Sequence, residues 1–320
     1  MLLEAEDTLE ILVTGAAGFI GSHLTESLVS HGHKVIAIDA LLPNLYPFIQ
    51  KNRNWTQLEE LGPSVERHLI DLREPLDPAL LSNCDYVFHL AAMPGLSLSW
   101  EDTKLYIDCN VLGTANLLKA CDPQRLKNFF YVSTSSVYGK NVTGDESSPL
   151  QPVSPYGVTK LAAENMVIAF ANATKIPYSI FRLFSVYGPR QRSDMAFNIF
   201  IRKLLSDEVI EIFGDGTQSR ANTYIDDVVD GLIAGLTHAK HAEIYNLCGQ
   251  EQANVLEILD KLSHIIGRTP RLFIGNERMG DQQQTRSVAQ KAIKDLNFSP
   301  KIKLDVGLLN QVRWQEQSQY

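Results

Sequence analysis

LEILVTGAAGFIGSHLTESLVSHGHKVIAIDA, residues Leu9 to Ala40, decides the fold. Leu9–Thr14 is an apolar run that reads as a buried strand, and Gly15-Ala16-Ala17-Gly18-Phe19-Ile20-Gly21 follows it without a gap. Apolar residues then recur at helical spacing from Phe19 to His31, and a second strand runs from Lys34 to Ala40. Strand, glycine turn, helix and strand within about thirty residues form a dinucleotide-binding unit. The glycines let backbone N–H groups at the helix start approach a pyrophosphate. Asp39, at the end of the second strand, is placed to accept a ribose 2′-hydroxyl and to repel a 2′-phosphate, which favours NAD over NADP.

Further out, strand candidates Val65–Ile70, Tyr86–Leu90, Asn128–Ser133 and Tyr178–Phe184 alternate with helices near Thr103–Cys121 and Pro155–Thr174. The alternation predicts an α/β fold with a doubly wound parallel sheet. Ligands of such sheets lie beyond the carboxyl ends of the strands, where His89-Leu90-Ala91-Ala92 and Ser133-Thr134-Ser135-Ser136 fall. After Phe184 the pattern becomes irregular: Tyr187–Met195, a short helix, then a strand Val209–Phe213. Asp226–Ala239 reads as a helix, and Ile244–Cys248 as a strand that returns to the main sheet. Helices near Val255–Ile266 and Asp305–Glu316 complete the chain. The expected units are 1–182 with 223–250 for the cofactor, and a smaller, mostly C-terminal α/β unit of 183–222 with 251–320 for the substrate.

Ser154-Pro155-Tyr156-Gly157-Val158-Thr159-Lys160 carries the chemistry. Ser154 suits an N-cap and Pro155 the first helical position, so Tyr156 and Lys160 share a face one turn apart. The lysine charge and the helix dipole both favour phenolate, so the tyrosine pKa is expected to fall. That would make Tyr156 a base near neutral pH.

With 320 residues and 44% hydrophobic content the chain fills a sizeable core. Its apolar runs stay short of the ~18 residues of a membrane span, and the acidic opening MLLEAEDTLE, where a signal peptide would be basic, reads as a cytoplasmic start. A net charge of −8 argues against nucleic acid as a partner. Cys84, Cys109, Cys121 and Cys248 are scattered, so neither a disulfide framework nor a metal site is expected. His31 and His33 lack a third ligand for a metal.

Thr14–Gly21, Asp39, Asp71, His89–Ala92, Ser133–Gly139, Ser154–Lys160 and Val186–Arg192 stand in an order that resembles the extended short-chain dehydrogenase/reductase family, in its NAD-dependent nucleotide-sugar epimerase/dehydratase branch. The likeness is greatest to UDP-glucuronate and UDP-glucose 4-epimerases. It implies that Thr134, Tyr156 and Lys160 are catalytic. It further implies that NAD contacts Gly15, Gly18, Phe19, Ile20, Gly21, Asp39, Asp71, Leu72, Leu90, Ala91, Ala92, Asn110 and Ser133, besides Tyr156 and Lys160. Thr134, Ser135, Ser136, Ser185 and Arg192 would face the sugar, and Arg220 and Arg278 its diphosphate. Bidentate guanidinium contacts suit phosphate. The chain departs from the family pattern at Ala221-Asn222, where Asp-Phe is usual, and at Val288, where aspartate is common. Similar enzymes form homodimers through the segments matching Thr103–Cys121 and Pro155–Thr174.

Dehydratases of the branch follow the threonine with an acid pair, whereas Ser135-Ser136 stands here. Serine is no general acid near neutral pH, so the expected reaction is 4-epimerisation through a transient 4-keto sugar. Dehydration, decarboxylation, an alcohol dehydrogenase with exchangeable cofactor and a non-catalytic NAD-binding scaffold are the competing readings. Ser185 and Arg192 resemble the glucuronate type of epimerase, which implies UDP-glucuronate ahead of UDP-glucose and its N-acetyl analogue.

Overall fold

A computed structural model describes residues 8–43 and 46–318. Most of the acidic opening lies outside them. Strands β1 (Glu10–Thr14), β2 (Lys34–Asp39), β3 (Val65–Leu69), β4 (Tyr86–His89), β5 (Asn128–Thr134), β6 (Tyr178–Leu183) and β7 (Glu243–Leu247) form one parallel sheet. Their order is β7-β6-β5-β4-β1-β2-β3, so the chain winds outward in both directions from β1. β1 and β4 are neighbours but not consecutive, and a crevice opens where the winding reverses. β1, β2 and β5 are buried along nearly their whole length, as strands covered on both faces must be.

Helix α1 (Phe19–Ser30) begins at Gly18 and buries Phe19, Leu24 and Leu28. A second helix, α2 (Phe48–Glu59), was not apparent in the sequence. The helix Pro155–Thr174 has the expected start: Ser154 Oγ accepts from Gly157 N at 3.1 Å with Pro155 in the first turn, and Lys175 closes it in the left-handed conformation. The segment read as one helix from Thr103 comprises Thr103–Tyr106, a π turn Ile107–Leu112 and Gly113–Ala120. The π turn widens the helix where Asn110 points inward.

The smaller layer holds a four-stranded sheet of Gln252–Asn254, Ser219–Ala221, Gln284–Thr285 and Asn141–Val142. Asn141–Val142 joins it from the first half of the chain, although the sequence placed 1–182 wholly with the cofactor unit. Val209–Phe213 pairs in parallel with Arg271–Gly275. A single buried apolar cluster runs from Ile11 and Val13 through Phe181 and Ile225 to Leu308, so the two layers share a core.

Candidate active site

At the carboxyl ends of β1, β2, β4, β5 and β6 lies a cavity of about 420 Å³. Gly15, Gly18, Phe19, Ile20, Gly21, Asp39, Asp71, Leu72, Leu90, Ala91, Ala92 and Ser133 line one part of it. Gly15 has φ +71°, and a Cβ there would lie 2.8 Å from Ala91 N. A Cβ on Gly21 would lie 2.1 Å from the Gly15 carbonyl oxygen, so the turn closes only with glycine at both positions. No side chain caps α1, which leaves its first N–H groups for an anion. Asp39 Oδ2 accepts from Ala17 N at 3.1 Å and Oδ1 from Leu41 N at 2.8 Å. Burial raises the Asp39 pKa above the usual carboxylate value, while Lys51 and these N–H groups oppose it. Each oxygen keeps a lone pair for a hydroxyl, so turn and carboxylate together fit a dinucleotide.

The ends of β1 and β4 are joined by a buried hydrogen-bond chain. Thr114 Oγ1 donates to the Asn110 carbonyl at 2.6 Å and so accepts from His89 Nε2 at 2.9 Å. His89 Nδ1 is then the acceptor for Thr14 Oγ1 at 2.7 Å, and Thr14 Oγ1 accepts from Ala91 N at 3.1 Å. Burial holds His89 neutral, with its pKa lowered to about 3.

Thr134, Tyr156 and Lys160 meet on the cavity wall beside the cofactor part. Tyr156 shares this wall with Thr134, and its ring meets Tyr106 edge-on at 6.3 Å. Its pKa is raised, where spacing alone predicts a fall: burial outweighs the opposing effects of the Thr134 hydroxyl and the Arg192 guanidinium. Lys160 does not supply the expected pull, because its Nζ donates to the Val132 carbonyl at 2.7 Å and stands 4.2 Å over the Tyr131 ring. Burial lowers the Lys160 pKa to about 7 against the opposing charge of Glu164.

Beneath them lies a buried ionic network. Glu164, one turn beyond Lys160, takes two bonds from Arg182, Nε to Oε1 at 3.0 Å and Nη2 to Oε2 at 2.7 Å, and a third from Ser133 Oγ. Arg182 Nη1 donates to Tyr138 OH at 2.9 Å, which donates to Asn246 Oδ1 at 2.8 Å.

Ser135, Ser136, Ser185, Arg192 and Arg220 line the remaining wall. Thr134 Oγ1 accepts from Ser136 N at 3.1 Å and donates to Ser136 Oγ at 3.2 Å. Arg192 holds Asp194 through Nε and Nη2, both at 3.0 Å, and Arg220 Nη2 holds Asp281 Oδ1 at 2.7 Å. The carboxylates lining the cavity are Asp39, Asp71 and Asp281, and each stands apart from Thr134 in the chain, on another element.

The model of the NAD dependent epimerase/dehydratase family matches residues 11–248. The chain belongs to that family. An uncharacterized UDP-glucose epimerase, YtcB, of Bacillus subtilis (strain 168) is 40% identical to it, covering 96% of this chain and 98% of the relative. A UDP-glucuronate 4-epimerase of Thermodesulfobacterium geofontis (strain OPF15) is 34% identical, covering 96% of each chain. A crystal structure of UDP-glucuronic acid 4-epimerase from Bacillus cereus, in complex with UDP-glucuronic acid and NAD, superposes with a TM-score of 0.93 at 39% identity, covering 97% of this chain and 100% of that one.

Two residues expected at the site of this epimerase/dehydratase stand elsewhere. Asn110 is buried beneath the wall, not in it: Nδ2 donates to the Met93 carbonyl at 3.1 Å and Thr159 Oγ1 at 3.0 Å, and Oδ1 accepts from Met93 N at 2.6 Å. Both of its N–H groups and its carbonyl oxygen are engaged in tying the loop after β4 to the helix Pro155–Thr174. Arg278 is exposed and stacks on Phe213, 3.6 Å from the ring centroid, outside the cavity. Asp71 does line the cavity, but Arg73 pairs with its carboxylate and holds its pKa down. Tyr46, Lys51, Met93 and Gln282 also line this family member's cavity without having been singled out in the sequence. Gln282 Nε2 donates to the Ser135 and Gly139 carbonyls at 3.2 and 2.8 Å, which ties the smaller sheet to the loop after β5. For Lys51, a cation twelve residues past Asp39 was the available signal.

Proposed function

We propose that this chain is an NAD-dependent UDP-glucuronate 4-epimerase. One observation carries the reading: Tyr156 and Thr134 line the same cavity wall, and the residues that follow Thr134 on it are Ser135 and Ser136, not acids. Bound NAD supplies the acceptor and donor of the C4 hydrogen, so that inversion passes through a 4-keto sugar. Tyr156 takes the proton of the C4 hydroxyl and returns it, while Thr134 orients the same oxygen. Lys160, fixed by the Val132 carbonyl, holds a cation beside the cofactor part of the cavity. Elimination of water requires a proton donor at the leaving hydroxyl, and no cavity carboxylate stands beside Thr134 in the sequence to provide it.

Arg192 and Ser185 support a sugar that carries a carboxylate, with Arg220 toward the diphosphate. The reading includes one unit for cofactor and one for nucleotide sugar. It also includes a homodimer through Thr103–Tyr106, the segments that continue it to Ala120, and Pro155–Thr174, where Ile107, Leu112 and Val158 are exposed. Sedimentation at micromolar concentration tests the dimer. Among the described residues no helix is long and apolar enough to cross a membrane.

The reaction is tested by incubating the NAD-loaded protein with UDP-glucuronate, UDP-glucose and UDP-N-acetylglucosamine and following the sugar protons by NMR. UDP-galacturonate is the expected main product. A 4-keto-6-deoxy sugar, a decarboxylated pentose or the absence of turnover would overturn the proposal.

A further inference from the structure

Helix α2 presents two buried amides four residues apart, each 4% exposed. They reach different parts of the cavity wall. Asn54 Nδ2 donates to the Ala17 carbonyl, inside the glycine turn, at 3.0 Å. Gln50 reaches the loop that carries Arg192: Nε2 donates to the Gln191 carbonyl at 3.1 Å and the Arg190 carbonyl at 3.4 Å, and Oε1 accepts from Ser193 N at 3.3 Å. One side chain therefore grips the backbone on both sides of Arg192.

The grip continues around the guanidinium. The Tyr46 ring, just before α2, lies 5.9 Å from Arg192 Cζ and 4.9 Å from Lys51 Nζ. Behind the loop, Gln191 Oε1 accepts from Asn198 N at 3.0 Å and Gln311 Nε2 at 2.8 Å. Burying an amide is costly unless its groups are bonded, and an apolar side chain would fill the same space without that demand. What an amide adds at position 50 is a fixed height for the Arg190–Ser193 backbone relative to α2, and through Asn54 relative to the cofactor turn.

We propose that Gln50 is a positioning residue for Arg192, holding the guanidinium in register with the glycine turn so that it meets the carboxylate of an acidic nucleotide sugar. This rests on Arg192 being the ligand of that carboxylate, as proposed above. Asp194, Asn198 and Gln311 still hold the loop from the other side, so without Gln50 the guanidinium loses its fixed height over the glycine turn, and the misplacement appears as weaker binding.

The test compares the NAD-loaded wild type with Gln50→Met, Arg192→Gln and the double variant. Gln50→Met is expected to raise KM for UDP-glucuronate about tenfold, the effect of losing roughly one well-made hydrogen bond. The Kd of UDP, which lacks the sugar, and the NAD content should hold, a separation that general loosening of the fold would not give. The double variant should be no worse than Arg192→Gln alone, because both changes remove one interaction. If Arg192→Gln leaves KM unchanged, the carboxylate reading fails and the role of Gln50 falls with it. If Arg192→Gln raises KM while Gln50→Met does not, or if the two effects add, the positioning role alone is overturned. Should Gln50→Met fail to fold, Gln50→Ala, which leaves room for water to bond the loop, is read against the same outcomes.

Discussion

Glu164 and Arg182 form a two-point ion pair, 3.0 and 2.7 Å long, with side chains only 2% and 1% exposed, joining the helix Pro155–Thr174 to β6. Removing one partner leaves the other charge buried without compensation. Arg182→Met is expected to destabilise the protein by about 3–5 kcal/mol, and the double variant Arg182→Met/Glu164→Leu by less, because no lone charge remains. Urea unfolding of the wild type and both variants decides this. Equal losses would mean that the pair acts through packing alone.

Lys160 makes stability depend on pH in a definite direction. Its folded pKa is lowered to about 7 by burial, whereas an unfolded lysine titrates near 10.4. Below about 7 both states carry the charge and the full cost of burying it is present. As pH rises toward the unfolded value the unfolded state binds more protons, so this cost is progressively lost and stability is gained. NAD-free Lys160→Met should therefore exceed the wild type in melting temperature most at pH 6.5, with the gap closing by pH about 10. A gap that is constant across that range would rule out the assigned titration.

Tyr156→Phe removes the phenol proposed to carry the C4 hydroxyl proton, on the wall it shares with Thr134. Turnover should fall about 10³-fold or more, with KM for UDP-glucuronate and NAD content little changed. Activity that survives at a tenth of wild type would require another base.

Gly21→Ala tests the closure of the glycine turn. The new methyl would stand 2.1 Å from the Gly15 carbonyl oxygen, a backbone atom, with no flexible side chain to give way. A loss of about 1–3 kcal/mol in stability is expected, with reduced NAD content after purification. Retention of NAD at the wild-type level would show that the turn can open without cost to the cofactor.

The sheet was legible because parallel strands buried on both faces are continuous apolar runs, as in β1 and β5. The glycine turn and the Ser154-Pro155 helix start were legible because each uses residue types with one dominant backbone role. Helix α2 was not, for a physical reason: its buried positions are Gln50, Asn54, Trp55 and Leu58, so half of its inward face is polar and the apolar period is broken. The residues that hide it are the ones that bond the cofactor turn and the Arg192 loop. The rise in the Tyr156 pKa is not legible because charge and dipole can be read from spacing, whereas burial depends on segments distant in sequence that pack on the ring, such as Tyr106. Arg278 likewise matched by sequence position, while its stacking on Phe213 depends on where Arg271–Gly275 pairs.

The π turn Ile107–Leu112 adds one residue to the helix around it. Before its end, Asn110 holds Met93 and Thr159; after it, Thr114 holds His89, and Asn116 Nδ2 holds the Leu72 and Arg73 carbonyls at 2.9 and 3.1 Å. Deleting one residue inside the turn would restore an α repeat and leave the faces before and after it nearly unchanged, because a π turn takes up one residue more than the α turn it replaces. What would be lost is the widening that lets the Asn110 side chain meet both Met93 and Thr159, while Asn116 would keep its hold on the loop of Asp71. The extra residue therefore serves one inward amide and not the register of the helix.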